Sequence, residues 1–166
     1  MATPTTLPAS FTAGQVLTAG QMNNLRGAFR VLQVVQGTLS TQFSTSSTSY
    51  VSVGLTATIT PTSTSNTVLV LYSGGIGATN GQDVYTTVFR GTTAGTNLGA
   101  TNGFSKAYVN MTSGTNGTHS SGIILDSPAT VSATTYTVAM KVAGAGTSYF
   151  CFDNTRATIT LMEISA

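Results

Sequence analysis

Threonine alternates with apolar residues along much of this chain, and that period of two constrains the fold more than any other feature. Leu55, Ala57 and Ile59 interleave with Thr56, Thr58 and Thr60, while Tyr136, Val138, Met140 and Val142 interleave with Thr135, Thr137, Ala139 and Lys141. Successive side chains of a strand point to opposite faces, so the pattern specifies strands with one buried face and one hydroxyl-bearing face. Thr is β-branched and suits a pleated surface, and the 166 residues include 33 Thr and 18 Ser. Val31 to Gln36, Ser148 to Phe152 and Ala157 to Ile164 are further strands, and Ser49 to Val53, Val84 to Arg90, Phe104 to Met111 and Ser121 to Leu125 fit the same pattern. Val68 to Tyr72 is a continuous apolar run, as expected of a strand covered on both faces. Three Asn-Gly pairs, at 80–81, 102–103 and 116–117, read as turns, and so do Gly74-Gly75, Gly144 to Gly146 and Asp126-Ser127-Pro128. About nine or ten short strands with such punctuation fit a β-sandwich or jelly roll rather than an α/β fold.

The first 29 residues differ. Residues 1–17 carry Pro4 and Pro8 with little periodicity and read as an extended arm. Thr18 then stands as N-cap with Gln21 three residues later, Leu17 and Met22 sit at the staple positions, and Met22, Leu25 and Phe29 form one helical stripe. The spacing predicts a short helix, Ala19 to Phe29, weakened by Gly27. A helix of about 11 residues is marginal alone in water, so its stripe needs a partner. The expected organisation is an arm with a short helix over 1–29 and an all-β sandwich over 30–166.

Charge narrows the function. The chain has six Lys and Arg, four Asp and Glu, and a net charge of +2. Six dispersed cations make no strong basic face, so nucleic acid is not an expected partner. No apolar run approaches the roughly 20 residues of a membrane helix, and Met1-Ala2-Thr3-Pro4 does not open a secretory signal. The single Cys, Cys151, excludes an intramolecular disulfide framework and a Cys-rich zinc site; between Phe150 and Phe152 it reads as a small buried hydrophobe. A surface of hydroxyls and amides has little charge repulsion to keep copies apart, which fits burial in an assembly; a lone β-domain with a hydroxyl-rich coat fits the composition equally well.

Residues able to do chemistry are few. Asp126 precedes Ser127-Pro128 and reads as a turn cap, Asp153 opens a turn, Asp83 follows one, and Glu163 lies near the end of the last strand. Scattered acids without Trp do not form a glycosidase site. His119, the only imidazole, follows Asn116-Gly117 among Thr and Ser and reads as an exposed loop residue. No Ser lies in a nucleophile elbow, and Gly74-Gly75-Ile76-Gly77 lacks the Lys and spacing of a phosphate-binding loop. The six tyrosines (Tyr50, Tyr72, Tyr85, Tyr108, Tyr136 and Tyr149) suit core or subunit contacts, with sugar stacking as the alternative use. The expectation is no enzyme, no cofactor and no metal.

Thr12 to Asn23, Thr-Ala-Gly-Gln-Val-Leu-Thr-Ala-Gly-Gln-Met-Asn, resembles the N-terminal attachment segments of bacteriophage tail fibres and related virion proteins. Val31 to Gln36, Ser47 to Leu71, Leu125 to Thr130 and Thr158 to Ile164 resemble a group of small phage structural proteins. The resemblance implies a homotrimeric β-sandwich, similar in outline to jelly rolls of the tumour-necrosis-factor and C1q type, located in the virion and assembled in the bacterial cytoplasm. It also implies that the N-terminal segment docks to the particle, through the major capsid protein or a tail or baseplate protein. Phe11, Val16, Leu17, Met22, Leu25 and Phe29 are the expected attachment and trimer contacts. The chain has no fibre shaft, which favours a capsid decoration or cement protein or a short head fibre. The first rival is a short tail fibre or tail-tip protein binding a host surface glycan through Gly74 to Gln82, Thr92 to Gly103 and Ser113 to Ser120. The rival of another class is a carbohydrate-binding β-sandwich.

Overall fold

A computed structural model describes residues 14, 16, 18, 19, 31–79, 81–109 and 114–166. The arm and helix expected over 1–29 therefore lie, apart from four scattered positions, outside the described residues. Those from Val31 onward form an all-β sandwich of two antiparallel sheets. Eleven strands follow in order: β1 (Val31–Leu39), β2 (Phe43–Thr45), β3 (Val51–Ile59), β4 (Thr67–Thr79), β5 (Gln82–Arg90), β6 (Thr96–Asn97), β7 (Ser105–Val109), β8 (Thr115–Asp126), β9 (Thr134–Val142), β10 (Ser148–Phe150) and β11 (Ala157–Ile164). In the first sheet β1, β11, β4 and β8 lie side by side, and β10 with β2 continues the row beside the far half of β4. The second sheet runs β3, β9, β5, β7, with β6 against the last residues of β5.

The alternation places the core. Val53, Leu55, Ala57 and Ile59 of β3 and Tyr136, Val138, Met140 and Val142 of β9 point inward against Val68, Val70 and Ile76 of β4 and Ile159 and Leu161 of β11. Ser49 to Val53 and Leu55 to Thr60, expected as separate strands, are one strand with a break in register between Ser52 and Thr56, where Gly54 takes φ +88°. That left-handed conformation is one a β-branched residue resists.

Three polar clusters hold the sandwich together, the first two by crossing from one sheet to the other. Deep in the core the Thr86 hydroxyl of β5 is 2.9 Å from that of Tyr72 on β4 and 2.6 Å from that of Ser120 on β8, so the buried hydroxyls satisfy one another. At one end Asp126 is not the expected turn cap. It is buried at the end of β8, accepts from Tyr136 of β9 at 2.7 Å, and pairs with Arg90 of β5 at 3.0 and 3.1 Å. Near the chain's C-terminus Glu163 is also buried, on the inner side of β11. It accepts from Gln33 Nε2, Asn66 Nδ2 and the Thr62 N–H, each at 2.6 Å, and from the Thr62 hydroxyl at 2.8 Å.

Two expected turns are strand. Gly74-Gly75 lies inside β4 and Asn116-Gly117 inside β8, where these strands pair from Val68–Asp126 to Thr79–Thr115. Their glycines make room. After β10 the chain turns at Cys151 (φ +52°) into a short 3-10 turn, Phe152–Asn154, that folds onto the outer side of β4 and β8. A Cβ on Gly77 would stand 2.6 Å from the Phe152 ring, one on Gly117 would strike the same ring, and one on Gly75 would meet Thr155.

Candidate functional site

The outer face of the first sheet carries the feature least expected of a solitary domain. The pairing register aligns Val34 with Met162, Met162 with Leu69, and Leu69 with Leu125, giving one apolar row across β1, β11, β4 and β8. Val34 is 56 % exposed and Leu125 56 %. The next row is Gln36, Thr160, Leu71 and Ile123, the last 62 % exposed. Beyond it lies a hydroxyl row, Thr38, Thr158, Ser73 and Ser121. On the other side Val31 pairs with Ile164, and a bulge leaves Leu32 exposed beside it. Between the middle rows is a shallow groove of about 590 Å³ bordered by Leu71, Ser73, Ser121, Ile123, Thr160 and Met162.

No Asp, Glu, Lys or Arg points outward from these four strands among the described residues. Glu163 turns inward, and although burial opposes its ionisation, the donors from Gln33, Asn66 and Thr62 outweigh that and hold its carboxyl down at about 2. An uncharged sheet face can pack against neighbouring copies of the chain without like-charge repulsion or the desolvation of buried ions. The run Val68 to Tyr72 has its explanation here. Val68, Val70 and Tyr72 fill the core, whereas Leu69 and Leu71 face out and are only half-buried. The strand is apolar on both faces, and within the chain only one of them is covered.

The outer face of the second sheet is different. Gly91 to Phe104 folds over β5, with Leu98 N–H bonding to the Val88 carbonyl and Phe104 N–H to the Thr86 carbonyl. Lys106, Tyr85 and Lys141 lie in one row across β7, β5 and β9. Asp83 pairs with Lys106 at 3.0 Å, and that hydrogen bond raises the Lys106 pKa. Lys141 Nζ stands 4.7 Å from the Tyr50 ring centre and 5.1 Å from that of Tyr85.

The remaining sequence candidates find their places. Val16 is described and 87 % exposed, while Phe11, Leu17, Met22, Leu25 and Phe29 lie outside the described residues. His119 is exposed but stands in β8, not in a loop, with Nε2 3.0 Å from the Ser73 hydroxyl. Among the described residues this pair has no carboxylate partner to orient the imidazole, the third group a hydrolytic triad uses. Cys151 is fully buried, and burial pushes its thiol pKa up, away from the thiolate a nucleophile needs. Of the three segments suggested for receptor contact, Gly74 to Gln82 and Ser113 to Ser120 are largely paired strand, with Asn80 and Ser113 outside the described residues, and Thr92 to Gly103 forms an external loop. The apolar row escapes a reading of sequence because its members come from four distant segments, although the doubly apolar run of β4 points to it.

No protein-family model matches the chain, and no curated protein matches it.

Proposed function

We propose that this chain is a bacteriophage virion structural protein, a homotrimeric jelly roll that binds the assembled capsid as a decoration or cement protein or stands on it as a short head fibre. The observation that carries the proposal is the uncharged row Val34, Met162, Leu69 and Leu125, open to solvent in a single chain and apolar enough to be held by its siblings. The strand orders β1-β11-β4-β8 and β3-β9-β5-β7 support the jelly-roll assignment, since two interlocked Greek keys produce such interleaving of early and late strands. The tether in this reading is the segment 1–29, whose Phe11, Val16, Leu17, Met22, Leu25 and Phe29 supply the apolar contacts to the particle or to neighbouring copies. A protein that binds only the assembled shell stabilises it by mass action, and linked copies gain avidity with no catalytic step.

The test has two parts. Sedimentation of the full chain should give three times the 16.9 kDa chain mass, and removal of residues 1–29 should leave a folded trimer that no longer co-pellets with capsids. A monomer, or a truncated protein that still pellets, overturns the corresponding part. A short tail fibre or tail-tip protein is the second reading, favoured by the pocket beside Lys141 on the opposite sheet. Copy number per particle separates the two: one matching the capsid lattice assigns decoration, and one matching the tail symmetry assigns the tail.

A further inference from the structure

Beside Tyr50 the outer face of the second sheet is indented by a pocket of about 420 Å³, within the range of small-ligand sites, roughly 300–1,000 Å³. Its wall carries Thr48, Ser49, Thr93 and Thr101, and its aromatic side is Tyr50, held edge-on by Phe89 at 5.8 Å between ring centres. Lys141 closes one end. One of its three donors goes to the Thr101 carbonyl at 3.2 Å, and the ammonium rests against the Tyr50 and Tyr85 rings.

The charge on Lys141 is not neutralised by a carboxylate among the described residues. Each acid is engaged elsewhere: Asp83 with Lys106, Asp126 with Arg90 and Tyr136, and Glu163 with Gln33, Asn66 and Thr62. Asp153 stands in the turn on the other sheet, where its N–H bonds to Gln42. The pocket thus presents a cation with two spare donors, an aromatic ring, and a rim of hydroxyls. A sugar ring offers an apolar face to an aromatic side chain and hydroxyls to a polar rim; a carboxylate on that ring supplies the missing counter-charge.

We propose that this pocket binds a carboxylated sugar residue, its carboxylate on Lys141 Nζ, its ring against Tyr50 and its hydroxyls on Thr93 and Thr101. The site stands on the sheet opposite the apolar rows, so a chain held by its siblings through one face keeps this pocket open on the other. The inference is independent of the assembly proposal.

The experiment is saturation-transfer NMR and calorimetry on the full chain with sialyllactose and trigalacturonate, each set against its neutral counterpart, lactose and galactotriose. At least one acidic saccharide should bind about tenfold or more tightly than its neutral partner. Lys141→Gln should remove that preference, Thr93→Asp should remove it by placing a like charge at the pocket rim, and Arg156→Gln, which deletes the same charge on the other sheet, should leave it intact. Thermal melts of the variants establish that they fold. Equal binding of acidic and neutral partners, an undiminished preference in both pocket variants, displacement of the sugar by acetate at equal concentration, or no binding of either acidic saccharide at millimolar concentration each overturns the proposal. Sedimentation of the same sample keeps the two proposals apart: a trimer without sugar binding refutes the pocket alone, and a monomer that binds sugar refutes the assembly alone.

Discussion

The Tyr136 hydroxyl donates to Asp126 Oδ2 at 2.7 Å, and that bond crosses from one sheet to the other. Arg90 approaches the same carboxylate from the second sheet and also donates to the Ser127 carbonyl at 3.1 Å, so one acid holds the ends of β5, β8 and β9 together. Burial, with the adjoining Asp126, raises the Tyr136 pKa and keeps the phenol in its donor form. Tyr136→Phe removes one bond to a charged acceptor and should cost about 2 kcal/mol. Asp126→Ala should cost more, about 3–5 kcal/mol, because it strands Arg90 and Tyr136 together. Urea denaturation of the two single variants and the double variant checks this: the double should lose much less than the sum. Simple additivity would mean that Asp126 and Tyr136 do not act as a unit.

Glu163 gives the fold an acid dependence of known sign. Its carboxyl is held at about 2 in the folded chain against an ordinary 4.5. A depressed carboxylate contributes stability that is fully present above the unfolded value and is lost as pH falls through the folded one. The urea midpoint should therefore decline from about pH 4.5 towards pH 2. Glu163→Gln should lower the unfolding free energy at neutral pH by about 2 kcal/mol, since an amide cannot accept from all of Gln33, Asn66 and Thr62, and should flatten the acid limb of the urea midpoint. An unchanged acid limb in that variant would assign the dependence to another carboxylate.

Gly77 and Gly117 are cross-strand partners beneath the Phe152 ring. Their role is to be absent as side chains. Gly77→Ala should cost about 1–3 kcal/mol by lifting the ring from its seat. Combined with Phe152→Ala, the added cost of the methyl group should largely vanish. Equilibrium denaturation of the four species reads this coupling, and full cost of the methyl in the absence of the ring would place the strain elsewhere.

The strands were legible wherever burial on one side imposed the period of two. Ala157 to Ile164 appears with the bounds the sequence suggests, and Tyr136 to Val142 falls within β9. Glycines misled, because a glycine required for space and one required for a turn look alike in sequence. Gly75 and Gly117 lie in mid-strand because Thr155 and Phe152 fold onto them from far along the chain. Asp126 misled for a similar reason: its neighbours Ser127 and Pro128 suggest a turn, while its partners Arg90 and Tyr136 arrive from other strands. The Lys141 pocket was not legible at all. Tyr50, Thr101 and Lys141 meet through sheet pairing and one folded loop, and no local pattern encodes that register.

Leu125→Lys, in the most apolar row of the first sheet, is the sharpest probe of the assembly face. Leu125 is already 56 % exposed in the single chain, so the long lysine stem can lie along the sheet with its ammonium in water. The isolated fold should lose less than about 1 kcal/mol. In an assembly the same position is desolvated, and every copy brings its own cation to a face that otherwise holds none; burying unpaired charges of one sign opposes association by several kcal/mol. The variant should sediment as a single chain, with a far-UV circular dichroism spectrum and a urea midpoint close to those of a monomeric domain. Thr38→Lys, in the hydroxyl row at the margin of the face, should weaken association far less. A Leu125→Lys protein that remains trimeric would move the subunit contact off this sheet, and a protein that unfolds would show that Leu125 supports the chain itself rather than its neighbours.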